Sequence, residues 1–229
     1  EIGTLDVFVL LGPNPIEVVR QYTKLTGTAH LPQLWTLGYH QSRYSYETQD
    51  DAKDVVSNFD SNNFQLDALW LDIDYTDAYK YFTWNPSTYS DPVGLQDTLA
   101  STNKKLVTII DPHIKAEDGY SVYDGALAND LFVKNADGSV FQGPCWPGTS
   151  SYMDFLNPAA REYYGSMYSY DNFKNTTPTL AGIWNDMNEP SVFDNSLEMT
   201  LPADGLHIGN VRHREIHNIY GLLHVSYHY

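Results

Sequence analysis

The 229-residue chain is 42% hydrophobic, a globular composition that supports a real core in one large domain or two small ones. Its 13 Lys and Arg stand against 29 Asp and Glu, and a net charge of -16 repels phosphate backbones and anionic membrane surfaces, which excludes nucleic acid as a partner. No apolar run approaches the roughly 18 residues of a spanning helix, which excludes membrane insertion. Aromatic residues reach 14%, with 18 Tyr and 5 Trp; such rings suit stacking on sugar faces, although abundance alone favours core packing. Cys145 is the single cysteine, so an internal disulfide is impossible. Asn175-Thr176-Thr177 matches the glycosylation pattern and hints at secretion. With Glu1 in place of a methionine and no signal peptide, the chain reads as an excerpt of a longer protein.

In chain order, Leu5 to Leu11 reads as a strand closed by Gly12-Pro13, the end of a preceding β domain over residues 1–12. Ile16, Val19 and Tyr22 fall at helical spacing, so residues 13–33 are expected to be a linker helix and connector. From Leu34 strands and helices alternate. Leu34 to Tyr39 is the first expected strand, and Thr48 then caps a helix with Asp51 three residues on. Ala52, Val55, Val56 and Phe59 form that helix's apolar stripe. Leu66 to Leu71 is nearly continuous in apolar residues, as a parallel strand covered on both faces should be. A helix around Leu95 and Leu99 leads to a third strand, Leu106 to Ile110. Residues 115–155 form an insertion too long for a plain connector. Asn157-Pro158 opens a helix with Ala160, Tyr163, Tyr164 and Met167 on its buried side. Leu180 to Trp184 is the fourth strand, and a last helix starts near Arg214.

Such alternation predicts an α/β fold with a parallel sheet and right-handed crossovers. A (β/α)8 TIM barrel takes about 250 residues, so residues 34–229 are expected to be its first half, about four βα units with long loops. The second, third and fourth strands end in Asp72, Asp111 and Asp186, and the carboxyl ends of barrel strands open onto one face. One strand-terminal Asp is an ordinary cap; three, with Trp70, His113, Trp146 and Trp184 close in sequence, predict an acidic, aromatic pocket. Metal hydrolysis fits it poorly. His213-Arg214-Glu215-Ile216-His217 has Glu third rather than second, and Arg212 and Arg214 repel a cation, so these histidines are expected on a helix surface. Glycoside hydrolysis fits better, because it needs a carboxylate pair about the anomeric carbon and indoles to hold the ring.

Trp184-Asn185-Asp186-Met187-Asn188-Glu189-Pro190-Ser191 resembles the signature of glycoside hydrolase family 31, the α-glucosidases. The likeness runs on through Gly38-Tyr39-His40-Gln41, Trp70-Leu71-Asp72-Ile73-Asp74, Asp111-Pro112-His113-Ile114-Lys115, Cys145-Trp146-Pro147-Gly148 and His213 to Gly221. It implies a retaining, exo-acting α-glucosidase that removes terminal non-reducing α-linked glucose, with Asp186 as nucleophile and a covalent glucosyl intermediate. Asp72 would hold sugar hydroxyls, and Ile73, Ile114, Trp146, Trp184 and Met187 match positions that wall the subsite. Tyr44 stands where many relatives carry Trp, and can still stack. No metal and no cofactor is implied. The most similar members trim N-glycans in the endoplasmic reticulum lumen, which implies a glycan substrate and a non-catalytic regulatory subunit. Asp74-Tyr75 departs from the Glu-His usual in that branch and is closer to lysosomal and secreted α-glucosidases. The family's acid/base Asp lies further downstream than Tyr229, so this chain alone is expected to be inactive; within it only Asp111 and Glu189 are candidates for a second carboxyl group. A non-catalytic carbohydrate-binding barrel is the alternative reading.

Overall fold

The computed structural model describes residues 4–194 and 196–226. Residues Leu5 to Leu11 run without pairing to any described strand, and Leu5, Val7, Val9 and Leu11 are exposed; apolar β-formers alone do not make a strand when no ladder partner is within reach. Helix α1 (Pro15–Thr26) follows, set by local chemistry. The Asn14 side chain accepts the Glu17 amide at 3.1 Å, Pro15 occupies the first turn, and Gly27 takes a φ of 85° at the end. Its apolar residues Ile16, Val19 and Tyr22 stay exposed.

The expected strand at Leu34 to Tyr39 is instead a 3-10 turn, Leu34–Leu37, and only His40–Gln41 (β1) enters the sheet. The cause lies 28 residues away. The Asp67 carboxylate accepts the Tyr39 amide at 3.1 Å and its own amide donates to the Tyr39 carbonyl at 2.9 Å, so ladder pairing begins only beyond Tyr39. A Cβ on Gly38 would sit 2.2 Å from the Asp67 carboxyl carbon, which leaves room there for glycine alone.

Helix α2 (Gln49–Ser61) opens on the expected capping box, with Thr48 and Asp51 exchanging side chain and backbone bonds. Strand β2 (Ala68–Leu71), helix α3 (Pro92–Ser101) and strand β3 (Lys105–Ile109) complete the next unit. The insertion is structured: strand β4 (His113–Lys115), helix α4 (Ser121–Ala128), then β5 (Gln142–Cys145) and β6 (Gly148–Tyr152), with β4, β6 and β5 forming an antiparallel sheet in that order. Helix α5 (Pro158–Ser166) leads to β7 (Leu180–Trp184), and the short hairpin β8 (Leu206–His207) and β9 (Val211–Arg212) to α6 (His213–Val225).

Strands β1, β2, β3 and β7 form one parallel sheet in that order. Helix α3 packs on β3 and α2 packs on α3, burying Ala52, Val56, Leu95 and Leu99. The family of tyrosines serves this core. Tyr75, Tyr81, Tyr89, Tyr152, Tyr164 and Tyr220 are fully enclosed, and five of them donate to backbone carbonyls between 2.6 and 2.9 Å. Two of those carbonyls, Ile109 and Asp111, lie at and just beyond the end of β3. Hydroxyls thus continue the strand's bonding where the ladder stops, each contributing about 1 kcal/mol.

Strands β1 and β7 are the edges of this sheet among the described residues, and an unprotected edge templates pairing with another chain. The 229-residue chain expressed alone should therefore self-associate; elution as a clean 26.0 kDa monomer in size-exclusion chromatography would contradict this.

Candidate active site

Parallel register decides which side chains meet. Trp70 pairs with Val107, Val107 with Gly182, and Ile109 with Trp184. Counting on by two along each strand puts Asp72, Asp111 and Asp186 on the same face, at adjoining carboxyl ends. The indoles of Trp70 and Trp184 meet edge to face on that side, 5.8 Å apart. Trp70 Nε1 donates to His40 Nδ1 at 3.0 Å, so His40 Nε2 carries the proton it shares with the Trp35 carbonyl at 3.1 Å. This tie was not anticipated, because its partners lie 30 residues apart.

Asp72 is half-buried and accepts the Ile73 amide at 2.8 Å, capping the 3-10 turn Ile73–Tyr75. Burial raises its pKa, the Ile73 amide lowers it, and the charges of Asp74 and Asp186 raise it again. Asp186 is likewise partly open to solvent. An open aromatic floor with two carboxylates on one face can bind a polyhydroxylated ring and present an oxygen nucleophile to it.

Asp111 differs from the expected pocket-facing group. It has no exposed surface, so it cannot touch a substrate's leaving group. Tyr81 donates its hydroxyl to Asp111 Oδ2, and His113 Nε2 lies 3.0 Å from that hydroxyl. With the hydroxyl proton on Asp111, His113 must donate from Nε2, which leaves Nδ1 to receive the Cys145 thiol at 3.5 Å. Burial is the main cause of a pKa for Asp111 near about 7; Tyr81 lowers it, and Asp186, Asp72 and Glu189 raise it. Burial also holds His113 down at about 3 and pushes the Cys145 thiol up to about 12. His113 is therefore neutral, and its 3.9 Å approach to Asp111 is not an ion pair.

The loop after Asp186 turns sharply, with Met187 in the left-handed region at a φ of 56°, a conformation that costs a non-glycine residue about 1 kcal/mol or more. The insertion sheet and its neighbours hold it. Tyr152 donates to the Ser191 carbonyl at 2.6 Å, the Phe193 amide to the Pro144 carbonyl at 2.7 Å, and Thr200 to the Pro190 carbonyl at 2.6 Å. From the other side α6 presses close: a Cβ on Gly221 would lie 3.0 Å from the Asn188 carbonyl oxygen.

The remaining expected wall residues are dispersed. Ile73, beside Asp72, is 5% exposed, and Ile114 on β4 is enclosed in the core. Trp146 is half-exposed and packs edge to face on Phe193, with centroids 4.6 Å apart, while Trp184 is partly buried against the core beside Trp70. Tyr44 is exposed, near the Tyr79 hydroxyl that donates to Asp74 at 3.3 Å. Glu189 is exposed and accepts from Ser191.

Of the pair expected on a helix surface, His213 is a correction: it is buried and His217 partly so, and with buried His207 of β8 they form a chain that starts at Asp154. Asp154 Oδ1 lies 2.7 Å from His207 Nδ1, His207 Nε2 3.0 Å from His213 Nδ1, and His213 Nε2 2.8 Å from His217 Nδ1. Asp154 also accepts the Ile208 amide at 2.7 Å, which pins the β8–β9 hairpin to the insertion. Burial, with His207 and His217 adding to it, holds His213 at about 3.

This geometry has known counterparts. The sequence matches the glycosyl hydrolases family 31 TIM-barrel domain over residues 29–229, and the chain belongs to glycoside hydrolase family 31. It is 49% identical over 222 residues to neutral alpha-glucosidase AB of Mus musculus, covering 97% of this chain and 23% of that protein. A probable glucan 1,3-alpha-glucosidase of Arabidopsis thaliana is 48% identical over 96% of this chain and 24% of its own length. The chain thus spans about a quarter of the curated relatives it matches. Among solved structures, a DNJ-bound glucosidase II alpha subunit superposes with a TM-score of 0.90 at 49% identity, over 96% of this chain and 23% of that one. A Flavobacterium johnsoniae GH31 dextranase complexed with glucose gives 0.75 at 27% identity, over 90% and 25%. The fold is accordingly an α/β TIM-barrel domain built on a parallel sheet.

The raised pKa of Asp111 makes a statement about stability. Its folded value, about 7, exceeds the unfolded value of 3.8, so the folded state holds this proton more tightly. The native state loses ground as pH rises from 3.8 to about 7, by on the order of 4 kcal/mol in all. Thermal melts of the full-length protein should show Asp111→Asn gaining on wild type across that window and no further above it. A Tm difference that is flat with pH would refute the assignment.

Proposed function

We propose that this chain is the nucleophile-bearing half of a (β/α)8 barrel in a retaining, exo-acting α-glucosidase. The observation that carries the reading is the register of β2, β3 and β7, which sets Asp72 and Asp186 on one aromatic-floored face. Asp72 accepts hydroxyls of a terminal glucose, and Asp186 attacks its anomeric carbon. The bond to the leaving oxygen breaks, that oxygen takes a proton from a second carboxyl group, and water then hydrolyses the glucosyl ester with retention. Ile73, Ile114, Trp146, Trp184, Met187 and Tyr44 shape the subsite, the enclosed ones from behind.

A retaining pair stands about 5 to 5.5 Å apart. Asp111 is enclosed, Glu189 is exposed and accepts from Ser191, and the family resemblance gives neither of them the acid/base role, so the 229-residue chain by itself is inactive. Residues 1–12 are the end of a preceding domain and 13–33 a linker helix and connector, within which the family match begins, at residue 29. Likeness to glucosidase II, one solved form of which is a heterodimeric complex of catalytic subunit and regulatory-subunit binding domain, supports N-glycan trimming in the endoplasmic reticulum lumen with such a partner.

In the full-length protein, a mechanism-based fluoroglucoside should label the peptide that contains Asp186. Asp186→Ala should abolish both labelling and turnover, a loss of at least about a thousandfold for a missing nucleophile. Labelling at another residue would remove the central claim, and a protein that binds glucosides without turnover would be a carbohydrate-binding barrel instead.

A further inference from the structure

The mechanism leaves one enclosed acid unused. Asp111 sits at the end of β3, beside the strand that bears Asp186; the two chains are still bonded there, since the Ile110 amide donates to the Trp184 carbonyl at 2.9 Å. Its Oδ2 ends a buried chain through Tyr81 and His113 to Cys145, and its Oδ1 has no hydrogen-bond partner among the described residues. An ionised carboxylate with one oxygen unsatisfied and no exposed surface is costly, whereas a carboxylic acid is much less so.

The groups that face Asp111 are all acids or neutral. Asp72 approaches from β2, Tyr75 and Tyr81 from the segment after it, and His113 and Cys145 from the insertion sheet. Tyr164 and Tyr168 approach from α5 and its exit, and Asp186 and Glu189 from the loop after β7. None of these groups is a cation, and His113 is kept neutral by burial.

Resting on the proposed α-glucosidase reading, we infer that Asp111 is a positioning residue for Asp186: its enclosed carboxyl group holds a proton, so that Asp186 works beside a neutral neighbour. The consequence falls on the second half of the reaction. When the glucosyl ester is hydrolysed, the C1–Oδ bond breaks, its electron pair returns to Asp186, water oxygen takes C1, and the water proton goes to the second carboxyl group. That step restores a negative charge on Asp186. A neutral Asp111 permits it, and an ionised Asp111 opposes it by like-charge repulsion.

The test is the pH dependence of reactivation of fluoroglucoside-trapped full-length enzyme, which reads ester hydrolysis directly. In wild type, reactivation should slow by roughly tenfold as Asp111 ionises, at a pH below the free enzyme's value of about 7, because esterified Asp186 no longer adds its charge to the causes that raise the Asp111 pKa. Asp111→Asn, which cannot ionise, should lose that dependence. Tyr81→Phe removes the hydrogen bond that lowers the Asp111 pKa, so it should move the fall to higher pH; this variant carries the test if Asp111→Asn does not fold. Infrared spectra below pH 7 should contain a carboxylic-acid carbonyl band that Asp111→Asn lacks. A reactivation rate that still falls with rising pH in Asp111→Asn, a Tyr81→Phe fall that stays in place, or a missing acid band would overturn the inference. The trapped residue separates the two claims: a label away from Asp186 defeats the glucosidase reading, whereas a label on Asp186 with an unchanged profile defeats only the role of Asp111.

Discussion

Like charges at the ends of neighbouring strands repel, and most of this structure can be understood as the means of placing them side by side regardless. Parallel pairing fixes Asp72, Asp111 and Asp186 on one face, so the chain cannot separate them without losing its register. The conflict is resolved by unequal burial. Asp111 at the central strand is sealed off, while Asp72 and Asp186 on the flanking strands keep access to solvent. Environment gives three chemically identical groups different exposure, and unequal environments are the general means by which one site houses both acids and bases.

Sealing the middle strand requires material from outside the barrel pattern, and the insertion supplies it. His113, Cys145 and Tyr152 come from its antiparallel sheet, and the same sheet bonds the loop that follows Asp186. Helix α6 meets that loop from the opposite side at Gly221, and the Asp154–His207–His213–His217 chain links insertion, hairpin and helix. The strained Met187 backbone is thus set among tertiary contacts that no strand-helix unit could make alone. Side chains that pack behind the site, such as Ile114, belong to this support as much as to any wall.

What could be read in the sequence was whatever is local. Thr48 and Asp51, Asn157 and Pro158, and the apolar runs of β2, β3 and β7 carry their own instructions within a few residues, and each forms near the expected place. The misplacements depend on distant partners. Leu34–Leu37 turns because Asp67 captures Tyr39, and Leu5 to Leu11 lacks any described strand to join. Asp111 looks like its neighbours until Tyr81 and His113 close over it, and His207 and His213 are buried because Asp154, more than fifty residues earlier, accepts the first proton. A strand-terminal Asp can be recognised from sequence; its degree of enclosure belongs to the fold.

The enclosed tyrosines have a consequence beyond packing. Burial holds the phenols of Tyr75, Tyr81, Tyr164 and Tyr220 well above their ordinary pKa, and each hydroxyl is engaged with another protein group. In alkali these rings stay un-ionised for as long as the core holds, so the share of the tyrosinate absorbance that these four add appears only when the scaffold gives way. The carboxyl end of β3 thereby carries an intrinsic optical marker, silent while the strand is bonded and visible once it is released.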